Sequence, residues 1–209
     1  MSARGRGLAC AAAAMVLAVP AVAHAEPHWY QGSSMLGATP LLMTGNDGHM
    51  SFAVTLGPQK NRVIKCAKAG VLEVAIWNPV PSLTGPAGED EVLAWNLTSC
   101  KERVHQTAKL CPSSGEKVQV LGQDLDWPSH LAIDSKIVDE IEDVTFETKC
   151  TGTSLAKEAF TGTLKPRIEP GKLDFLQPPT TALRNQASDP VIVEGRYNTH
   201  PGTISAKNP

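Results

Sequence analysis

Ser129 and His130 stand side by side, with Asp124, Asp126 and Asp134 a few positions away. A hydroxyl, an imidazole and a carboxylate are the parts of a nucleophilic triad. Adjacent residues of an extended segment point to opposite faces, however, so this serine and histidine cannot bond to each other, and no G-x-S-x-G turn is present. Trp127-Pro128-Ser129 reads instead as a turn leading into a short strand at Leu131. Asp139, Glu140, Glu142 and Asp143 form an acidic knot. Clustered carboxylates can serve a paired-acid hydrolase or a weak calcium site, but EF-hand spacing is missing, and a solvated charged turn is the expectation. Glu89-Asp90-Glu91 reads the same way, as a solvated run entering a strand. His28-Trp29-Tyr30 is either a sugar-stacking platform or an aromatic cluster that ties the terminus to the domain. His28, His49, His105 and His200 are scattered, without metal-ligand spacing. No catalytic residue, cofactor or metal is expected.

The cysteines set the compartment. Residues 1–25 hold a short basic segment with Arg4 and Arg6, an apolar run from Leu8 to Val19, and Ala23-His24-Ala25, a small-x-small cleavage pattern. A signal peptide cut after Ala25 is expected, leaving Glu26 first. The run is too short to span a bilayer, which needs roughly 20 residues. Cys10 lies at its start rather than after it, which argues against lipidation, and no later segment suits a membrane anchor. Cys66, Cys100, Cys111 and Cys150 remain, an even set that in an exported chain implies two disulfides. Without a C-x-x-C pair, a four-cysteine zinc site is disfavoured.

Of 19 Lys+Arg, removing Arg4 and Arg6 leaves 17 against 21 Asp+Glu, a balance of −4 with no basic block. Nucleic acid and anionic membranes are therefore disfavoured partners.

The elements that must position these groups read as strands. Period-two alternation recurs at Met50-Phe52-Val54-Leu56, Leu72-Val74-Ile76, Leu93-Trp95-Leu97, Val144-Phe146-Thr148-Cys150, Phe160-Gly162-Leu164 and Val191-Val193-Gly195-Tyr197. Turn chemistry separates them at Gly45-Asn46-Asp47-Gly48, Gly57-Pro58, Gly85-Pro86, Pro112-Ser113-Ser114-Gly115, Pro170-Gly171 and Pro178-Pro179. The expected fold is all-β: one antiparallel sandwich or barrel-like domain over 26–209, with two disulfides and a loop-like C-terminal tail. The one candidate helical turn spans 135–143, where Ile137, Val138 and Ile141 have near-helical spacing.

Strand parity bears on the disulfides. Cys66 shares a face with Ile64, and Cys150 with Val144 and Phe146, so both point to the core. Cys100 falls opposite Leu93, Trp95 and Leu97, and Cys111 opens the turn at Pro112. Cys66 with Cys150 inside and Cys100 with Cys111 as a surface staple fits these directions, the longer loop being worth more. The sequential and crossed pairings stay open.

The chain resembles a family of exported, mostly actinobacterial, four-cysteine β-rich proteins with no assigned function. The landmarks are His28-Trp29-Tyr30, Ile64-Lys65-Cys66, Gly85-Pro86-Ala87-Gly88-Glu89-Asp90-Glu91, Leu97-Thr98-Ser99-Cys100, Cys111-Pro112, Trp127-Pro128-Ser129-His130-Leu131, Phe160-Thr161-Gly162-Thr163-Leu164 and Ile204-Ser205-Ala206-Lys207. Trp77 and Pro79-Val80-Pro81 depart from that pattern. The resemblance implies export and a four-cysteine β domain, and it carries over no activity.

The functional expectation is a non-catalytic binding or structural module of the cell exterior, with an extracellular protein or glycan as partner. One alternative is a hydrolase of polysaccharide or cell wall using carboxylates such as Asp126, Asp139 or Glu142. Another is a protein inhibitor presenting the loop at 78–90.

Overall fold

The structure, a computed structural model, describes residues 25–55, 61–104, 110–111, 117–152, 157–175 and 183–208. The signal-like segment and the turns at Gly57-Pro58, Pro112-Ser113-Ser114-Gly115 and Pro178-Pro179 lie outside these residues. Among the described residues every regular element is a strand: β1 (His28–Gln31), β2 (Ser34–Met35), β3 (Leu41–Thr55), β4 (Asn61–Trp77), β5 (Glu89–Val104), β6 (Val118–Gly122), β7 (Trp127–Asp134), β8 (Lys136–Cys150), β9 (Lys157–Leu164), β10 (Arg167–Glu169), β11 (Lys172–Asp174), β12 (Leu183–Asn185), β13 (Pro190–His200) and β14 (Ile204–Lys207). No helix here is long and apolar enough to cross a membrane.

The large sheet closes on itself. β3 pairs with β4, β4 with β5, and β5 with both β6 and β7, which are two lengths of one interrupted strand. Both then pair with β8, and β8 with β9 and β10. β12 and β11 lead to β13, and β13 pairs back onto β3. Taking β6 with β7, β9 with β10 and β11 with β12 as single positions, the circuit β3, β4, β5, β6/β7, β8, β9/β10, β11/β12, β13 has eight positions. All pairings are antiparallel, so the all-β expectation holds in its barrel form, and closure removes the exposed edges.

Alternation explains the filling. Along β13, Val191, Val193, Gly195, Tyr197 and Thr199 face in while their neighbours face out. Aromatic rings fill the lumen: Trp95 lies 5.2 Å from Phe146 and 5.9 Å from Tyr197, and Phe52 lies 5.4 Å from Phe146 (centroid distances). The Trp95 indole N–H donates to the Tyr197 hydroxyl at 2.8 Å, so neither buried polar atom goes unpaired.

Several expectations change. Gly45-Asn46-Asp47-Gly48 is not a turn but runs inside β3. A Cβ on Gly45 would lie 2.9 Å from Tyr197 Cδ1, and one on Gly48 would lie 2.8 Å from the same atom. These glycines make room for the tyrosine ring. Residues 136–143 are not helical: Ser135 (φ 56°) turns the chain from β7 into β8, where β-branched Ile137, Val138 and Ile141 extend the sheet. Trp127-Pro128-Ser129 is the start of strand β7 rather than a turn. The C-terminal residues Ile204–Lys207, expected in a loop-like tail, form β14 against β1.

The disulfides join Cys66 to Cys100 and Cys111 to Cys150, not Cys66 to Cys150 and Cys100 to Cys111. For the cysteines, strand parity fails at Ser99. Ser99 takes a left-handed φ of 55°, and the step from Leu97 to Cys100 on β5 faces the shorter step from Val120 to Val118 on β6. This bulge turns Cys100 back inward, directly opposite Cys66 on β4.

Candidate functional site

At one end of the barrel, neighbouring strands put polar groups on both sides of one wall. Register fixes the geometry: Asp90 on β5 lies opposite Ile76 on β4 and Ser129 on β7, Ser129 opposite Ile141, and Leu131 opposite Asp139 on β8. Val92 and Trp127 line the lumen, and two-residue parity puts Asp90 and Ser129 on that same inner side. Asp90, Ser129 and Asp139 are all buried. Neither acidic cluster is therefore simply solvated: Asp90 is 2% and Asp139 0% exposed, while Glu142 and Asp143 are exposed and half-buried Glu140 pairs with Lys165 at 2.7 Å.

The Ser129 hydroxyl donates to an Asp139 carboxyl oxygen, and the Asp139 amide donates to the Pro166 carbonyl at 2.9 Å. Asp139, Ser129 and the Trp29 indole surround the Asp90 carboxyl, although neither of its oxygens completes a hydrogen bond of normal geometry. Burial holds Asp90 well above the ordinary carboxylate range, and the Asp139 charge raises it further. Burial also pushes Asp139 up to about 7, against the opposing pull of the Ser129 and Asp90 hydrogen bonds. Two carboxyls in contact in a dry site cannot both ionise cheaply, so at neutral pH the pair holds one proton between them. No ion pair found among the described residues involves either acid.

The cover of this pair is β1. The Trp29 amide donates to Asn78 Oδ1 at 2.9 Å, and Asn78 Nδ2 donates back to the Trp29 carbonyl at 3.0 Å and to Leu36 at 2.9 Å. The Trp29 ring lies so close to Gly88 that a Cβ there would come within 2.6 Å of Trp29 Cδ1. His28 and Trp29 are fully buried and Tyr30 nearly so, which leaves no open aromatic platform at that tripeptide. Both His28 ring nitrogens are buried without a hydrogen-bond partner among the described residues.

The outer side of the same wall is concave. A groove of about 590 Å³ is lined by Trp77, Glu89, Glu91, Pro128, His130 and Glu142, with Asp90 and Ser129 contributing to its wall. Register places Trp77 opposite Glu89, Glu89 opposite His130, and Glu91 opposite Pro128. Three carboxylates thus surround a half-buried indole, and the lining includes no lysine or arginine. No grouping of three or more His, Cys, Asp or Glu suited to a metal occurs among the described residues.

The acids expected for a hydrolase do not converge. Asp139 is sealed inside, Glu142 lines the outer groove, and exposed Asp126 lies just before β7. Ser129 and His130 point to opposite sides of the wall, as their adjacency implies. The loop expected at 78–90 is anchored by buried Asn78 and Asp90, with Val80 and Leu83 exposed between them. Sequence reading missed the inward Asp90–Ser129–Asp139 group and the part Trp77 plays in the groove. Extending the inward parity of Trp127 and Leu131 through Ser129 was the available signal for that serine. For the two aspartates nothing short of cross-strand register would have served. No family model, curated protein or solved structure matches the chain.

Proposed function

We propose that the protein is a non-catalytic exported binding module of the cell exterior, and that its ligand is a glycan seated in the outer groove on Trp77. The observation that carries this reading is the convergence of Trp77 with Glu89, Glu91, His130 and Glu142 in one concavity. An indole face offers flat apolar contact for the C–H face of a sugar ring, and carboxylates accept hydrogen bonds from its hydroxyls. The strands beneath are tied into a closed, filled barrel, which suits a preformed site better than a mobile one. Export is supported by the signal-like segment and by two disulfides, bonds that persist in oxidising compartments.

The test is calorimetry against a panel of neutral and amino-sugar oligosaccharides, with Trp77→Ala as control. Binding to at least one glycan, weakened about tenfold or more by Trp77→Ala, is expected, since buried aromatic anchors carry roughly 2 kcal/mol or more. Absence of glycan binding, or binding indifferent to Trp77, would contradict the reading.

A further inference from the structure

We propose that Asp90, Asp139 and Trp29 form a proton-operated latch: while the two carboxyls hold their shared proton, β1 stays seated across the barrel end, and loss of that proton to solvent lifts β1 away.

The geometry comes first. Both carboxyls lie inside the wall, and the buried indole nitrogen of Trp29, which completes no hydrogen bond of normal geometry among the described residues, lies beside Asp90. Whatever hydrates the pair from this side must displace Trp29. β1 is well suited to move as a unit, because it belongs to a separate three-stranded sheet, β14–β1–β2. Its ties to the barrel are the Asn78 side-chain bonds to Trp29 and Leu36, the Asn78 backbone amide donating to the Gly37 carbonyl at 3.1 Å, the Gly88 amide donating to the Pro27 carbonyl at 2.8 Å, the Gly171 amide donating to the Ile204 carbonyl at 3.0 Å, and the packing of Trp29 and Ile204 on the core.

The surroundings offer no countercharge. From β4 comes Ile76, from the residue after that strand the neutral Asn78, from β7 Ser129 and Leu131, and from β8 Ile141; Arg167 on β10 lies opposite Val138 and makes no ion pair with either acid among the described residues. Glu89, Glu91, His130 and Glu142 line the outer groove, and Glu140 is engaged by Lys165. On β1 the titratable groups are His28 and Tyr30, both buried and both on the opposite parity from Trp29. A second negative charge in the pair would therefore meet only the Ser129 hydroxyl and the indole N–H as donors, and the attraction of water for it grows accordingly.

The sign follows from the two carboxyls, whose folded values are raised, Asp139 to about 7 and Asp90 well above the ordinary range. Their contribution to stability is complete below the unfolded value of about 4, declines as pH rises, and is gone once pH has passed the folded values.

The experiment is hydrogen exchange of the β1 amides, corrected for intrinsic rates, together with melting temperature, at about pH 5 and about pH 9.5, the upper value chosen to lie beyond the first ionisation of the pair at about 7. Wild type, Asp90→Asn and Asp139→Asn are compared. In wild type, β1 protection should fall at least about tenfold at the higher pH, while the core strands β3 and β4 keep theirs. Either asparagine imitates the protonated partner, so each variant should lose most of this dependence. Relative to wild type, each should melt several degrees higher at about pH 9.5 than it does at about pH 5. If one variant does not fold, the other and the wild-type exchange decide. Equal β1 protection at both pH values, or asparagine variants with the wild-type pH dependence, would overturn the latch.

Discussion

Ser129 lies opposite Asp90 across one strand pair, and its hydroxyl reaches Asp139 on the strand beyond. It is the one hydroxyl donor to a carboxyl in a dry setting, so its loss is felt by the charged form more than by the neutral form. Ser129→Ala should cost about 1–3 kcal/mol. The cost should be larger at about pH 8, where Asp139, pushed up to about 7, is ionised, than at about pH 5. Thermal melts at the two pH values check this; a loss greater at the lower pH would mean that the hydroxyl serves the protonated pair. The parity of Trp127 and Leu131 would have carried Ser129 inward, but Pro128 suggested a turn, and that expectation hid the residue. Asp139 was hidden because an acidic run normally signals solvent, and the run conceals a face that register alone reveals.

On the scale of the strand, β5 shows how one residue redirects a covalent bond. Alternation located its core face correctly at Trp95 and Leu97, both fully buried, but not at Leu93: an earlier register shift puts Val92 inside and leaves Leu93 half-buried. The left-handed Ser99 then shifted everything beyond it by one position, and the cysteine pairing changed with it. Nothing in Thr98-Ser99-Cys100 announces such a bulge, since serine rarely adopts positive φ and no glycine marks the spot. The consequence for stability is a change in ranking. The closed loops have sequence separations of 34 and 39, so on chain-entropy grounds the two bonds are worth nearly the same, about 4 kcal/mol each. Cys66→Ala with Cys100→Ala and Cys111→Ala with Cys150→Ala should therefore lower the melting temperature by similar amounts. Peptide mapping without reduction should yield the 66–100 and 111–150 fragments. A 66–150 fragment, or one double variant far more damaging than the other, would contradict this arrangement.

Over the whole molecule, the antiparallel all-β class was readable, with sandwich and barrel both left open, because such walls repeat one simple pattern, inward apolar and outward polar, along their strands. The closing partnership of β13 with β3 was not readable, because it joins residues more than a hundred positions apart and depends on strand order. The groove escaped notice for the same reason. Trp77, Glu89, His130 and Glu142 come from four strands, β4, β5, β7 and β8, and become neighbours only after the sheet is assembled. The groove lies on a wall of paired strands, back to back with the buried carboxyl pair. The most direct measurement is the indole ¹⁵N–¹H resonance of Trp77 followed by NMR during titration with an oligosaccharide that the calorimetric panel identifies. A saturable shift of Trp77 and of the His130 and Glu89 amides, with Trp95 and Trp127 in the lumen unmoved, is the result expected. Shifts confined to other surfaces, with Trp77 unchanged at saturation, would contradict the account.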